Sequence, residues 1–104
     1  MHVIVWRYRV AEASTSAFEE AYRPDGAWVE LFRQSPGFVG TELVRGEEAG
    51  VYLTIDRWSS SAAYEAFLRG AHAEYERLDA ELASLTESEE LVARGAAVDG
   101  ERPS

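Results

Sequence analysis

Val51-Tyr52-Leu53-Thr54-Ile55-Asp56-Arg57-Trp58 carries large apolar groups on both of its alternating faces. Successive residues of a strand point to opposite sides of a sheet. Val51, Leu53 and Ile55 therefore share one face, and Tyr52 and Trp58 the other. A strand apolar on both faces is covered on both sides. The run from His2 to Val10 repeats the pattern, with Val3 and Val5 on one face and Ile4, Trp6, Tyr8 and Val10 on the other. Arg7 and Arg9 interrupt the first of these sets.

Downstream, Ser59-Ser60-Ser61 offers helix caps. Tyr64, Phe67, Leu68, Ala71, Tyr75, Leu78, Leu82 and Leu85 then follow at gaps of three and four. That spacing predicts one long amphipathic helix bent at Gly70, with Glu74, Glu76, Arg77 and Glu81 in water. Upstream, Gly46 to Gly50 forms a hairpin loop behind a strand over Phe38 to Arg45. A helix over Ala13 to Arg23, capped by Ser14 or Thr15, precedes it. Pro24-Asp25-Gly26 breaks that helix, and Asp25 is placed to cap a second piece over Ala27 to Gln34. Glu89 to Val98 reads as a weaker last strand, and residues 99–104 as a loose tail behind a domain of residues 1–98.

The order β-α-(α)-β-β-α-β predicts an α+β fold of the ferredoxin-like, split βαβ kind, with a four-stranded antiparallel sheet. Helices cover only one face of such a sheet, while two of its strands are apolar on both. A second copy of the same sheet is the simplest cover, which predicts a homodimer packed face to face as a dimeric α/β barrel. Isolated exposed apolar residues, normal on any surface, are the alternative.

Composition narrows the chemistry. The 104 residues hold ten basic and nineteen acidic side chains, for a net charge of −9. That field repels nucleic acid and anionic membranes. With no cysteine, disulfides, thiolate nucleophiles and zinc–sulfur sites are excluded. All ten basic residues are arginine, which rules out Schiff-base chemistry. Asparagine is absent too, and His2 and His72 are the only histidines. No apolar run approaches the roughly 20 residues of a membrane span. The N-terminal residues lack the pattern of a signal peptide, and a cytoplasmic location is expected.

Phe18-Glu19-Glu20-Ala21-Tyr22, Ser35-Pro36-Gly37-Phe38-Val39-Gly40-Thr41-Glu42-Leu43 and the segment from Ile55 to Phe67 resemble the antibiotic biosynthesis monooxygenase family. The likeness runs over roughly residues 2–98; its most specific parts are the Pro36-Gly37-Phe38 turn and the Trp58-Ser59 start of the long helix. The resemblance implies a dimeric α+β barrel with a pocket between sheet and helices. Some members of that family oxygenate polyketide quinone precursors without a metal or flavin and many have no assigned activity, so the resemblance at most suggests a monooxygenase. A branch resembling this chain degrades haem through an Asn on the first strand, a helix Trp and a His ten residues beyond it. Aligned on Trp58, those helix positions hold Phe67 and Arg77, and the Asn has no counterpart, so haem degradation is disfavoured.

Within that frame His72, flanked by Leu68 and Tyr75 at helical spacing, is the candidate general base, with Arg57 and Tyr64 as further catalytic candidates. Trp6, Tyr8, Tyr52, Trp58 and Tyr75 are the candidate substrate-binding walls. Each has a plainer reading: Trp58 as a wedge between helix and sheet, His72 as a solvated residue, the strand arginines as surface ion pairs. His72 and Glu76 lack further ligands at suitable spacing, so no metal site and no cofactor are expected. The expected function is a cofactor-independent monooxygenase-like dimer acting on a small aromatic or polyketide-type molecule. A binding or accessory protein without turnover, and an isomerase or cyclase, remain as alternatives.

Overall fold

β1 (His2–Arg9), β2 (Phe38–Arg45), β3 (Val51–Trp58) and β4 (Ser88–Ala96) pair antiparallel in the order β2-β3-β1-β4. The structure is a computed structural model and describes residues 1–98; the proposed tail over residues 99–104 lies outside them. The helices are α1 (Thr15–Tyr22), α2 (Ala27–Phe32), α3 (Ser61–Gly70) and α4 (His72–Leu82), with short 3-10 turns at Glu12–Ser14 and Ala83–Leu85. This is the four-stranded, ferredoxin-like α+β fold that the sequence predicts.

Register fixes the two faces of the sheet. Ile4 lies opposite Asp56, and Asp56 opposite Thr41, so these three share a face. Tyr8, Tyr52 and Trp58 lie on it too, and they are buried against Phe18, Tyr22, Trp28, Leu31, Phe32 and Phe67 from the helices. The core is thus a layer of rings. Phe18 stacks on Tyr22 at 4.2 Å between centroids, and Trp58 meets Phe32, Phe38, Tyr64 and Phe67 at 5.1–5.6 Å.

Among the described residues no helix lies over the opposite face. Val5 pairs with Ile55, and Leu53 with Val44, which brings β1, β3 and β2 together in an apolar patch extended by Val3 and Val51. Ion pairs frame the patch: Arg7 with Glu90, Arg57 with Glu42 and Arg9 with Glu48. The strand arginines therefore find carboxylates within their own chain.

Three local expectations change. The long helix is two: at Ala71 the backbone departs from the helix (φ −112°, ψ 23°), and α4 starts afresh as the Tyr75 amide bonds to the Ala71 carbonyl. Asp25 does not cap α2; Gly26 holds that position and Asp25 pairs instead with Arg23 at 2.9 Å. A Cβ at Gly26 would fall 2.4 Å from the Ala21 carbonyl, so only glycine permits this approach of α1 to α2. At α1, Ser14 makes no side-chain cap, and Thr15 donates its hydroxyl to the Glu12 carbonyl instead. At α3, Ser60 does cap, accepting from the Ala63 amide at 3.0 Å.

Candidate active site

The covered face of β3 reads Tyr52, Thr54, Asp56, Trp58. Two large rings stand at its ends and two short polar side chains in its middle, and the space above the short pair remains open. It forms a cavity of about 50 Å³ between sheet and helices. Thr41, Thr54 and Asp56 form its floor, and Trp6, Tyr8, Tyr22, Trp28, Tyr64 and Tyr75 its aromatic walls. Asp79 of α4 and Glu89 of β4 also line it. In this conformation it has room for a few water molecules.

The floor has one ionisable group, Asp56, which is 8% exposed. The Thr41 hydroxyl donates to its Oδ1 at 2.7 Å, and no hydrogen bond reaches Oδ2 among the described residues. Burial pushes the Asp56 carboxyl up to about 6, against the opposing pull of the Thr41 hydrogen bond. Burial also raises the hydroxyls of Tyr8, Tyr64 and Tyr75, so all three are proton donors at neutral pH. Tyr8 and Thr54 share a hydrogen bond at 3.3 Å. The Arg94 guanidinium stands 5.2 Å from the centre of the Tyr64 ring. The Trp28 indole N–H is buried and has no partner among the described residues.

The raised carboxyl has a thermodynamic consequence. The folded chain holds this proton more tightly than the unfolded chain, whose ordinary value is 3.8. The stabilising contribution is therefore full below about pH 4 and is lost as pH rises through 6. A shift of about two pH units corresponds to roughly 3 kcal/mol. Asp56→Asn keeps an oxygen for Thr41 and cannot ionise. It is expected to stabilise the fold by about 2 kcal/mol at pH 8 and to change it little at pH 4. Guanidinium unfolding at the two pH values checks this, and an equal effect at both would refute the buried ionisation.

Of the sequence candidates, the structure brings Trp6, Tyr8, Tyr64 and Tyr75 together around this cavity. The other four lie elsewhere. His72 is on the solvent side of α4, its side chain 71% exposed and paired with Glu76 at 3.2 Å. Arg57 faces the open side of the sheet, bound to Glu42. Trp58 is fully buried among helix rings and serves as the wedge. Tyr52 is buried beside Phe18 at the far end of β3 and donates its hydroxyl to Glu19, which Arg45 also binds at 2.8 Å; these bonds hold the Glu19 carboxyl below its usual range. Asp56, Thr41, Thr54, Tyr22, Trp28, Asp79 and Glu89 were not singled out for the site. The strand alternation did carry the signal for Asp56, because a carboxylate on the covered face has to be buried.

A larger, more open groove of about 490 Å³ runs between Ser35-Pro36-Gly37 and α3. Glu74 is its only ionisable side chain, so it offers little proton chemistry. Among the described residues no group of three or more His, Asp or Glu is placed to hold a metal ion, and no helix is long and apolar enough to cross a membrane.

A four-stranded antiparallel sheet with a ring-walled cavity under its helices defines a ferredoxin-like α+β domain with an internal site. The profile of antibiotic biosynthesis monooxygenases matches residues 1–75, and the chain belongs to that family. No curated protein matches it. Among solved structures it is similar to a monooxygenase from the gene ActVA-Orf6 of Streptomyces coelicolor in complex with nanaomycin D. That likeness has 22% identity and a TM-score of 0.75, over 99% of this chain and 92% of the other. It is also similar to SnoaB, a cofactor-independent oxygenase from Streptomyces nogalater, at 23% identity and TM-score 0.69, over 95% and 94%. Rv0793 from Mycobacterium tuberculosis shares the fold at 18% identity and TM-score 0.72, over 97% and 98%.

Proposed function

We propose that this chain is a cofactor-independent monooxygenase acting on a small aromatic or polyketide-type molecule in the cavity between sheet and helices. The observation that carries the reading is the combination of aromatic walls with an acid–base floor in one enclosed space. Flat rings stack on such walls, and a dry site strengthens each polar contact within it. Family membership and the likeness to a cofactor-independent oxygenase support the same reading.

The proposed reaction is the oxidation of a methylene flanked by phenolic rings. The methylene loses a proton, and the carbanion, delocalised as an enolate, passes an electron to dioxygen. One oxygen atom becomes the new carbonyl; the other leaves as water with the two methylene hydrogens. The substrate supplies all four electrons, so no external reductant is consumed. Tyr64, protonated at neutral pH, donates a hydrogen bond to the oxygen on which the enolate charge gathers. Trp6, Tyr8 and Tyr75 hold the rings. The substrate is larger than the present cavity, so its binding requires the wall side chains to move apart.

The reading includes a homodimer in which the two bare sheet faces meet. The continuous patch of Val3, Val5, Val44, Leu53 and Ile55 supports it, because an apolar face of this kind gains by being covered.

Oxygen uptake with dithranol and a panel of other hydroxyanthrones tests the activity. One dioxygen per substrate is expected without added metal or flavin, slowed about 100-fold in Tyr64→Phe. Tight binding with no uptake above spontaneous oxidation would transfer the protein to the binding-only reading. Isomerised or cyclised product without uptake would indicate the third.

A further inference from the structure

We infer that Asp56, set by the Thr41 hydroxyl on the cavity floor, is the base that takes the proton from a carbon acid bound there. The inference rests on the reading of the cavity given above, and it moves the base from α4 to the middle of the sheet.

Three geometric facts carry it. Asp56 lies on β3 between β1 and β2, where the backbone is held on both sides, and its neighbours Ile4 and Thr41 fix its register. Thr41 engages Oδ1, which leaves Oδ2 as the oxygen without a hydrogen bond among the described residues. The carboxyl also lines the same enclosed space as the aromatic walls. A proton acceptor needs to reach the substrate, hold one orientation and have an acidity near the working pH. His72 meets none of the positional conditions, being exposed on the outer side of α4.

Tyr22 of α1 and Asp79 of α4 line the same cavity as Asp56, and burial raises the Tyr22 hydroxyl to about 12. Tyr8 of β1, Tyr64 of α3 and Tyr75 of α4 all feel its charge, and each stays protonated through the neutral range. His2 sits on the same face of β1, with its ring 6.1 Å from that of Tyr64. Glu89 and Arg94 approach from β4, Arg94 over the Tyr64 ring. Among the described residues no other acid is buried on the floor, and burial holds the Asp56 carboxyl above the ordinary carboxylate range. In the step itself a substrate C–H bond breaks, its hydrogen bonds to Oδ2 as a proton, and the electron pair stays on the substrate as the enolate.

Proton abstraction is separable from oxygenation. Without oxygen, the base is expected to exchange the methylene hydrogens of dithranol with deuterated solvent, a reaction followed by proton NMR. The wild-type chain should accelerate this exchange, with a low-pH limb near 6. Asp56→Asn should lose it by roughly 100-fold or more while still quenching indole fluorescence on dithranol binding. Thr41→Val removes the hydrogen bond that favours the carboxylate, so the limb should move to higher pH with exchange retained above it. Exchange in Asp56→Asn at the wild-type rate, or none in the wild type, overturns the assignment. Exchange without oxygen uptake leaves Asp56 as the base and removes the oxygenase reading instead.

Discussion

Trp58→Ala is expected to cost about 3–5 kcal/mol, the range for deleting a large buried aromatic side chain. Trp58 has no exposed surface, and its ring touches Phe38 at the start of β2, Phe32 of α2, and Tyr64 and Phe67 of α3. One side chain thus ties the sheet to two helices, and its loss opens a hole lined by three other elements. A small domain has only about 5–15 kcal/mol in total, so this one substitution should remove a large share of the stability. Trp58→Phe should cost much less. It keeps most of the ring contacts and removes an indole N–H that is buried without a partner among the described residues. Urea unfolding followed by far-ultraviolet circular dichroism gives both values. A loss below about 1 kcal/mol in Trp58→Ala would mean that the ring cluster is not the centre of the fold.

Leu53→Glu should abolish the proposed dimer. Leu53 stands on the bare face, opposite Arg7 on β1 and Val44 on β2. In a two-fold pair each substitution occurs twice at the same interface. Arg7, the cation opposite, is already engaged by Glu90, and burying a further carboxylate costs several kcal/mol, so the dissociation constant should rise by about 1000-fold or more. The folded chain itself should change little, because Leu53 does not touch the helix layer. Sedimentation equilibrium of both proteins decides the matter. A wild-type chain that sediments as a monomer at micromolar concentration would remove the dimer.

Strand alternation was the most legible part of the sequence. Counting by twos from Val51 separates the covered face from the bare one, and the pairing of β1 with β3 agrees at every position. Helix phase was less legible. The three- and four-residue spacing runs unbroken from Tyr64 to Leu85, yet the chain leaves the helix at Ala71, and the turn restarts with His72 facing water. Nothing local marks His72 as solvated, since Leu68 and Tyr75 beside it are both half-buried. The pocket was harder still. Large aromatics draw the eye to Tyr52 and Trp58, but a cavity opens where side chains are short, and Thr54 and Asp56 lie between them. Tyr52 could not be placed from its own strand, because its hydroxyl is held by Glu19 on α1.

The stretch that matches the family ends at residue 75, the first cavity residue of α4. Asp79 and Glu89, which complete the enclosure, lie beyond it. The residues of the proposed floor thus fall within the matched stretch, and Asp79 and Glu89 fall outside it. Substitutions at Asp79 or Glu89 are expected to alter which molecule the cavity admits more than how fast that molecule loses its proton.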